Sequence, residues 1–378
     1  MKKMTNKILI PILLLLFLFP ISASADDWFE SERGYYTLLD ENEKELTVMG
    51  WEVSLKDEYV SSDNKHYIVT RVDKEKKTAY TRLLGEVTLP AVETDPESRE
   101  AVQQNKGNIL LYCTHNDESY VPTDGKESIK GNGGIFDVAE AFQANLRKKG
   151  IDAIMSRDRH DPHDAGSYRR SRRTAVNLMK KNVPVRAVFD IHRDAVPKSH
   201  YAAKVDGQDM TAIRIVVGRR NQNRKANEEL AYKLKAVSDK NYPGLLKDIY
   251  FGKGSYNQEL TPRSLLFEVG TYESSKELAE RSTAYLADIV SKSMYGGTVQ
   301  KHSPKTGRPE GKKTKVTPIN HESGRSGGGH GFLWMIGIVA VGIVAFLFIS
   351  TGSRERFSRI RRSNRQDYSS FLGRKKKK

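Results

Sequence analysis

The sequence predicts an α/β protein: a mostly parallel sheet with helices on both faces, preceded by a small all-β domain and followed by a tether and one transmembrane helix. Three observations carry this. Apolar strand-like runs alternate with amphipathic segments from Asn108 to Tyr295. Short aromatic and β-branched runs, separated by Asp/Asn/Lys-rich turns, fill Gly34 to Leu89. Phe332 to Ile349 is eighteen residues without a charge, enough to cross a bilayer core as a helix.

In chain order, Met1-Lys2-Lys3 precedes an apolar block, Ile8 to Ile21, that ends in Ala23-Ser24-Ala25. This reads as a signal peptide over residues 1–25, cleaved after Ala25, with an uncleaved N-terminal anchor as the alternative. Residues 26–90 form the small β domain, with strand-like Tyr35-Tyr36-Thr37-Leu38, Trp51-Glu52-Val53, His66-Tyr67-Ile68-Val69 and Thr78-Ala79-Tyr80. Residues 91–107, acidic in their first part, read as a linker.

The main domain spans residues 108–295. Its expected strands are Ile109 to Tyr112, Ile151 to Met155, Val185 to Ile191, Ile213 to Val217 and Ser264 to Val269. Its expected helices are Ile135 to Lys149, Ala165 to Lys181, Asn221 to Lys240 and Lys276 to Ser293. Residues 296–331 are Gly-, Lys-, Ser- and Pro-rich and too polar to bury a core, hence a tether. As a loose coil of about 35 residues it would span roughly 30–35 Å. The transmembrane helix, residues 332–350, is followed by a basic tail, residues 351–378.

The tail carries eleven Lys/Arg against Glu355 and Asp367, and such a surplus stays cytoplasmic by the positive-inside rule. Everything from Asp26 to about His330 then faces outward, in a protein anchored in the cell membrane by a single pass. The tail's nine surplus charges are over half of the formal +16, which removes most of the case for a nucleic-acid binder and points instead to anionic headgroups. With Cys113 alone, no internal disulfide can form, so the outward-facing part must be held by its core.

In open α/β sheets the working groups collect beyond the carboxyl ends of strands. Three expected strands deliver titratable residues there: the first runs into Cys113-Thr114-His115-Asn116-Asp117-Glu118, the third into His192-Arg193-Asp194, and the last carries Glu268. Two imidazoles and a carboxylate around an open position are what a catalytic zinc needs. Hydrogen-bonded structural histidines are the plainer alternative. The cluster Asp158 to Asp164, with His160, Pro162 and His163, reads as a solvated loop, with a second metal site as the alternative, and Arg169, Arg170, Arg172 and Arg173 as a helix face that could also attract anionic polymers.

The stretch Leu111-Tyr112-Cys113-Thr114-His115-Asn116-Asp117-Glu118-Ser119-Tyr120 resembles the His-Thr-His-Thr-x-Glu-x-Tyr motif of the stage II sporulation protein P family. Phe189-Asp190-Ile191-His192-Arg193-Asp194-Ala195 is similar to that family's Asp-Ile-His-Arg-Asp-Ala signature. Tyr256 to Pro262, leading into Leu266-Phe267-Glu268-Val269-Gly270, resembles its third block, and Tyr168-x-x-Ser171-Arg172 also fits.

The resemblance implies a zinc amidase-like fold and a peptidoglycan hydrolase cutting between N-acetylmuramic acid and the first L-alanine of the stem peptide, with peptide cross-links as a further target. It implies His115, Glu118 and His192 as zinc ligands, with Glu140 the rival for the carboxylate place, and Glu268 as general base. Arg193 would hold a stem-peptide carboxylate or the oxyanion, or else pair with Asp194; Asp190 or Asp194 could orient His192. Cys113 stands where the family has the first His of its pair, and it reads either as a small buried residue or as a change in activity or oxidation sensitivity. The competing function is a weakly active or inactive membrane-anchored protein that binds the wall and recruits another wall enzyme. Other wall-remodelling proteins are expected partners.

Overall fold

The computed structural model describes residues 34–92 and 107–295. The expected signal peptide, tether, transmembrane helix and basic tail, and all but the edges of the linker, lie outside them. Among the described residues no helix is long and apolar enough to cross a membrane.

The chain enters through five strands, β1 (Tyr36–Leu39), β2 (Glu45–Met49), β3 (Glu58–Val60), β4 (Lys65–Asp73) and β5 (Thr78–Glu86). Then follow β6 (Asn108–Tyr112), helix α1 (Ile135–Lys148), β7 (Ala153–Met155), α2 (Ser167–Lys181) and β8 (Val185–Asp194). A hairpin, β9 (Ala202–Val205) and β10 (Gln208–Thr211), leads to β11 (Ile213–Gly218), α3 (Arg224–Asn241), β12 (Leu246–Gly252), β13 (Ser264–Thr271) and α4 (Lys276–Tyr295).

Eleven described strands form one sheet, ordered β2-β1-β5-β4-β3-β12-β11-β13-β8-β6-β7. The expectation of a mostly parallel sheet is corrected here, because the sheet is mixed. Strands β13, β8, β6 and β7 run parallel to one another, but β11 lies antiparallel to β13. The hairpin β9-β10 stands where a crossover helix would have kept β11 parallel to β8. The N-terminal strands continue the same sheet: β3 pairs antiparallel with β12 through Val60 and Ile249, Tyr59 and Tyr250, and Glu58 and Phe251.

The two faces of this sheet differ in chemistry. Alternate residues of the central strands, among them Phe189, Ile191, Ile215, Leu265 and Phe267, join the main core against α1, α3 and α4. Helix α1 presents Ile135, Val138, Ala139, Phe142 and Leu146 to that core, a helical spacing that makes one apolar stripe. On the other face Val216, Tyr250 and Leu266 pack with Tyr168 of α2 and with Met49, Trp51 and Val53 of the N-terminal part. Between those apolar residues the same face carries an unbroken cross-strand row, His192–Glu268–Arg214–Asp248, set by the β8–β13, β13–β11 and β11–β12 registers.

Candidate metal centre

The parallel strands β6, β7 and β8 end at one edge, and β13 runs with them. The turn after β6 supplies His115 and Glu118, β8 supplies His192, β13 supplies Glu268, and the loop after β7 supplies His163. The Glu118 turn is fixed from behind by the start of α1: Ile135 N donates to Glu118 O (3.0 Å), and Gly134 N to Ser119 Oγ (2.9 Å). Gly133 is needed for this approach, since a Cβ there would sit 2.2 Å from the Glu118 carbonyl oxygen.

Glu118 Oε1 lies 3.3 Å from His115 Nδ1 and 3.3 Å from His192 Nδ1. Its other oxygen, Oε2, accepts from Arg193 N at 3.0 Å, which orients the carboxylate. His192 Nε2 lies 3.1 Å from Asp190 Oδ1. Asp190 also accepts from Thr114 N (2.8 Å) and lies 2.5 Å from Thr114 Oγ1. Thr114 reaches Ser171 Oγ at 2.8 Å, and Asn257 Nδ2 donates to that same hydroxyl at 3.0 Å. The polar residues of all the motif segments therefore converge on the carboxylate behind His192.

Burial pushes the His115 imidazole down to about 4, His163 acting in the same direction, so the ring is neutral and able to ligate. Burial resists charge on Glu118, yet His192, His115 and Arg193 hold it well below the usual carboxylate range. Burial would also lower His192, but the Asp190 and Glu118 carboxylates raise it well above an ordinary histidine. Burial, with Asp194 and Glu118 adding to it, drives Glu268 well above its ordinary value.

These atoms fit a divalent cation. Zinc bonds of about 2.0–2.1 Å in a tetrahedron place neighbouring donors about 3.3–3.4 Å apart, which is the spacing from Glu118 Oε1 to both rings. Asp190 stands on the far nitrogen of His192, as carboxylates do behind metal-bound histidines. Beside them Glu268 Oε2 is buried with no hydrogen-bond partner among the described residues, an arrangement that costs free energy unless a ligand or water engages it.

The family model for stage II sporulation protein P matches residues 26–291. This chain belongs to the stage II sporulation protein P family. It is 29% identical over 229 residues to the stage II sporulation protein P of Bacillus subtilis (strain 168), an alignment covering 55% of this chain and 57% of that relative. Among solved structures it is similar to the CwlD amidase from Clostridioides difficile in complex with the GerS lipoprotein, at 16% identity and a TM-score of 0.33 over 50% of this chain and 96% of that one. It is also similar to an N-acetylmuramoyl-L-alanine amidase from Clostridium difficile 630, at 14% identity and a TM-score of 0.32 over 50% and 95%.

In this stage II sporulation protein P homologue His115, Glu118, His192 and Glu268 are brought together. Glu140, the rival for the carboxylate place, is instead half-exposed on α1 and paired with Arg157. Asp194 is engaged by Arg214 at 2.9 Å and Tyr201 OH at 2.8 Å, so Asp190 is the carboxylate behind His192. The Arg193 guanidinium is buried, with Nη2 donating to Glu127 O. Cys113 points into the main core, away from the site, and burial raises its thiol well above the usual range, leaving it protonated.

The segment Asp158 to Asp164, read from sequence as a solvated loop, is corrected in part. His160 is buried between Cys113 O and Thr174 Oγ1, each at 2.9 Å. His163 joins the site, its ring centroid 3.7 Å from that of His115. The signal was topological: this loop leaves the carboxyl end of a strand parallel to β6.

Proposed function

We propose that this chain is a zinc-dependent peptidoglycan hydrolase that cleaves the amide between N-acetylmuramic acid and L-alanine, with peptide cross-links as a second target. Family membership supports the substrate class. The observation that carries the chemistry is a single carboxylate oxygen, Glu118 Oε1, set 3.3 Å from two buried imidazoles, with a Glu268 oxygen beside them that has no hydrogen-bond partner among the described residues.

His115 Nδ1, Glu118 Oε1 and His192 Nδ1 would hold the ion. Zinc, when bound, would polarise the scissile carbonyl, acidify a water and draw Glu268 into its ionised form. Glu268 then takes the proton of the attacking water and returns it to the departing nitrogen as the C–N bond breaks. Asp190 holds the His192 ring in place, and Arg193 acts through Glu118, its main-chain N–H fixing the second oxygen. The site works outside the cell in this reading, on a chain directed outward by residues 1–25 and anchored through residues 332–350.

The test is to incubate the full-length chain with purified wall sacculi, with and without a chelator, and identify the products by mass. Stem peptides with a free N-terminal alanine, lost on chelation, are expected. Soluble glycan carrying intact stems, or no product from a zinc-loaded chain, would overturn the proposal.

A further inference from the structure

The metal site proposed above uses three protein donors and leaves one corner of the tetrahedron. Beside His115 stands His163, on the loop between β7 and α2, its ring centroid 3.7 Å from that of His115. Donor atoms of His115, Glu118 and His163 all lie within 4.8 Å of one another. Reaching a tetrahedral edge from there needs a shortening of at most about 1.4 Å, within the range of a side chain carried on a loop.

The support behind His163 has the form of a ligand's support. Its Nδ1 lies 3.1 and 3.3 Å from the two Asp117 oxygens. Asp117 is fixed in turn: Oδ2 accepts from Ser128 Oγ at 2.6 Å, and its carbonyl accepts from Ile129 N at 2.7 Å. An Nδ1–H donating to a carboxylate leaves the lone pair on Nε2, the tautomer and ring orientation that metal-bound histidines show. An ordinary surface His–Asp pair needs neither a second hydrogen bond locking the carboxylate nor a ring set against another imidazole.

We infer that His163 is a fourth protein ligand of the same ion, completing a set of three imidazoles and one carboxylate, an inference that rests on the metal site proposed above. His115, Glu118 and His192 are nearly fully buried, whereas the His163 side chain is 20% exposed. His163 is thus the outermost ligand of the substrate-free site and the one that would give up its place to the attacking water.

The test uses the full-length chain, stripped of metal, titrated with zinc against a chromophoric chelator and separately loaded with cobalt(II). His163→Ala is expected to raise the zinc Kd at least tenfold and to change the visible cobalt band of the substrate-free protein. Asp117→Asn is expected to move both in the same direction by less. Should His163→Ala unfold, His163→Gln gives the same readouts. Zinc affinity within twofold of the parent and an identical cobalt spectrum in His163→Ala, while His115→Ala abolishes binding, would overturn this inference and leave the three-donor site standing. A parent chain that takes up no metal at all would overturn both.

Discussion

The row His192–Glu268–Arg214–Asp248 holds two pairs of ionisable residues side by side on one sheet face, and the fold treats them oppositely. At the Arg214 end every donor has an oxygen acceptor. Nε and Nη2 bind the two Asp248 oxygens at 2.7 and 2.9 Å, Nη2 also reaches Thr47 Oγ1, and Nη1 reaches Val48 O and Asp194 Oδ2. Lys247 adds a second cation on Asp248 at 2.8 Å, so two cations face two carboxylates. At the His192 end two imidazoles share one carboxylate oxygen and Glu268 Oε2 has no hydrogen-bond partner among the described residues. A buried charge cluster that is saturated braces the fold; one that leaves a buried carboxyl oxygen such as Glu268 Oε2 without a hydrogen bond among the described residues is arranged for something the chain does not itself contain.

That contrast is broken or sharpened by substitutions at its two ends. The largest effect is expected from Glu268→Gln, which should lower turnover of wall substrate by about 10²- to 10⁴-fold while zinc affinity stays at the parent level. Equal loss of metal would move Glu268 from proton transfer to ligation. Asp248→Ala strands a buried guanidinium and should cost about 3–5 kcal/mol of stability, read by denaturant unfolding, with zinc affinity of the folded protein preserved. If Asp248→Ala were thermodynamically silent, the braced end would not be a brace.

The pH response of the metal-free protein separates the ends further. His115 is held near 4 against an ordinary 6.5, so protons favour the unfolded chain between those values. Its contribution is present above pH 6.5 and is lost as pH falls through about 4, an effect of roughly 3 kcal/mol. His192 and Glu268, both raised, run the other way and lose their contribution as pH rises. His115→Asn should therefore raise the unfolding midpoint at pH 4.5 relative to that at pH 7 compared with the parent, and an unchanged difference would count against the buried neutral ring. The smallest effect is expected from Asp190→Asn, which should weaken zinc binding about 10- to 100-fold in a competition titration.

Much of the active end was legible in the chain because its residues sit at the ends of apolar runs. Leu110-Leu111-Tyr112 announces His115, Val188-Phe189 announces His192, and Leu265-Leu266-Phe267 announces Glu268. His163 was not visible that way, since Pro162 and its charged neighbours carry no period and its placement depends on β7 pairing beside β6. The reversal of β11 and the strand Leu246–Gly252 were missed because direction and pairing are long-range properties that local periodicity does not encode. Arg214 and Asp248 did leave a trace: a charge inside an apolar run such as Ile213-Arg214-Ile215-Val216-Val217 survives only with a full set of partners.

The joint between β3 and β12 has a consequence for what a protease could do to this molecule. Cleavage between residues 92 and 107 would sever the backbone but not the ladder at Val60, Tyr59 and Glu58, nor the grip of Arg214 on Thr47 and Val48. Two fragments produced that way should travel together through size-exclusion chromatography and separate only in denaturant. A nick there would be an invisible wound.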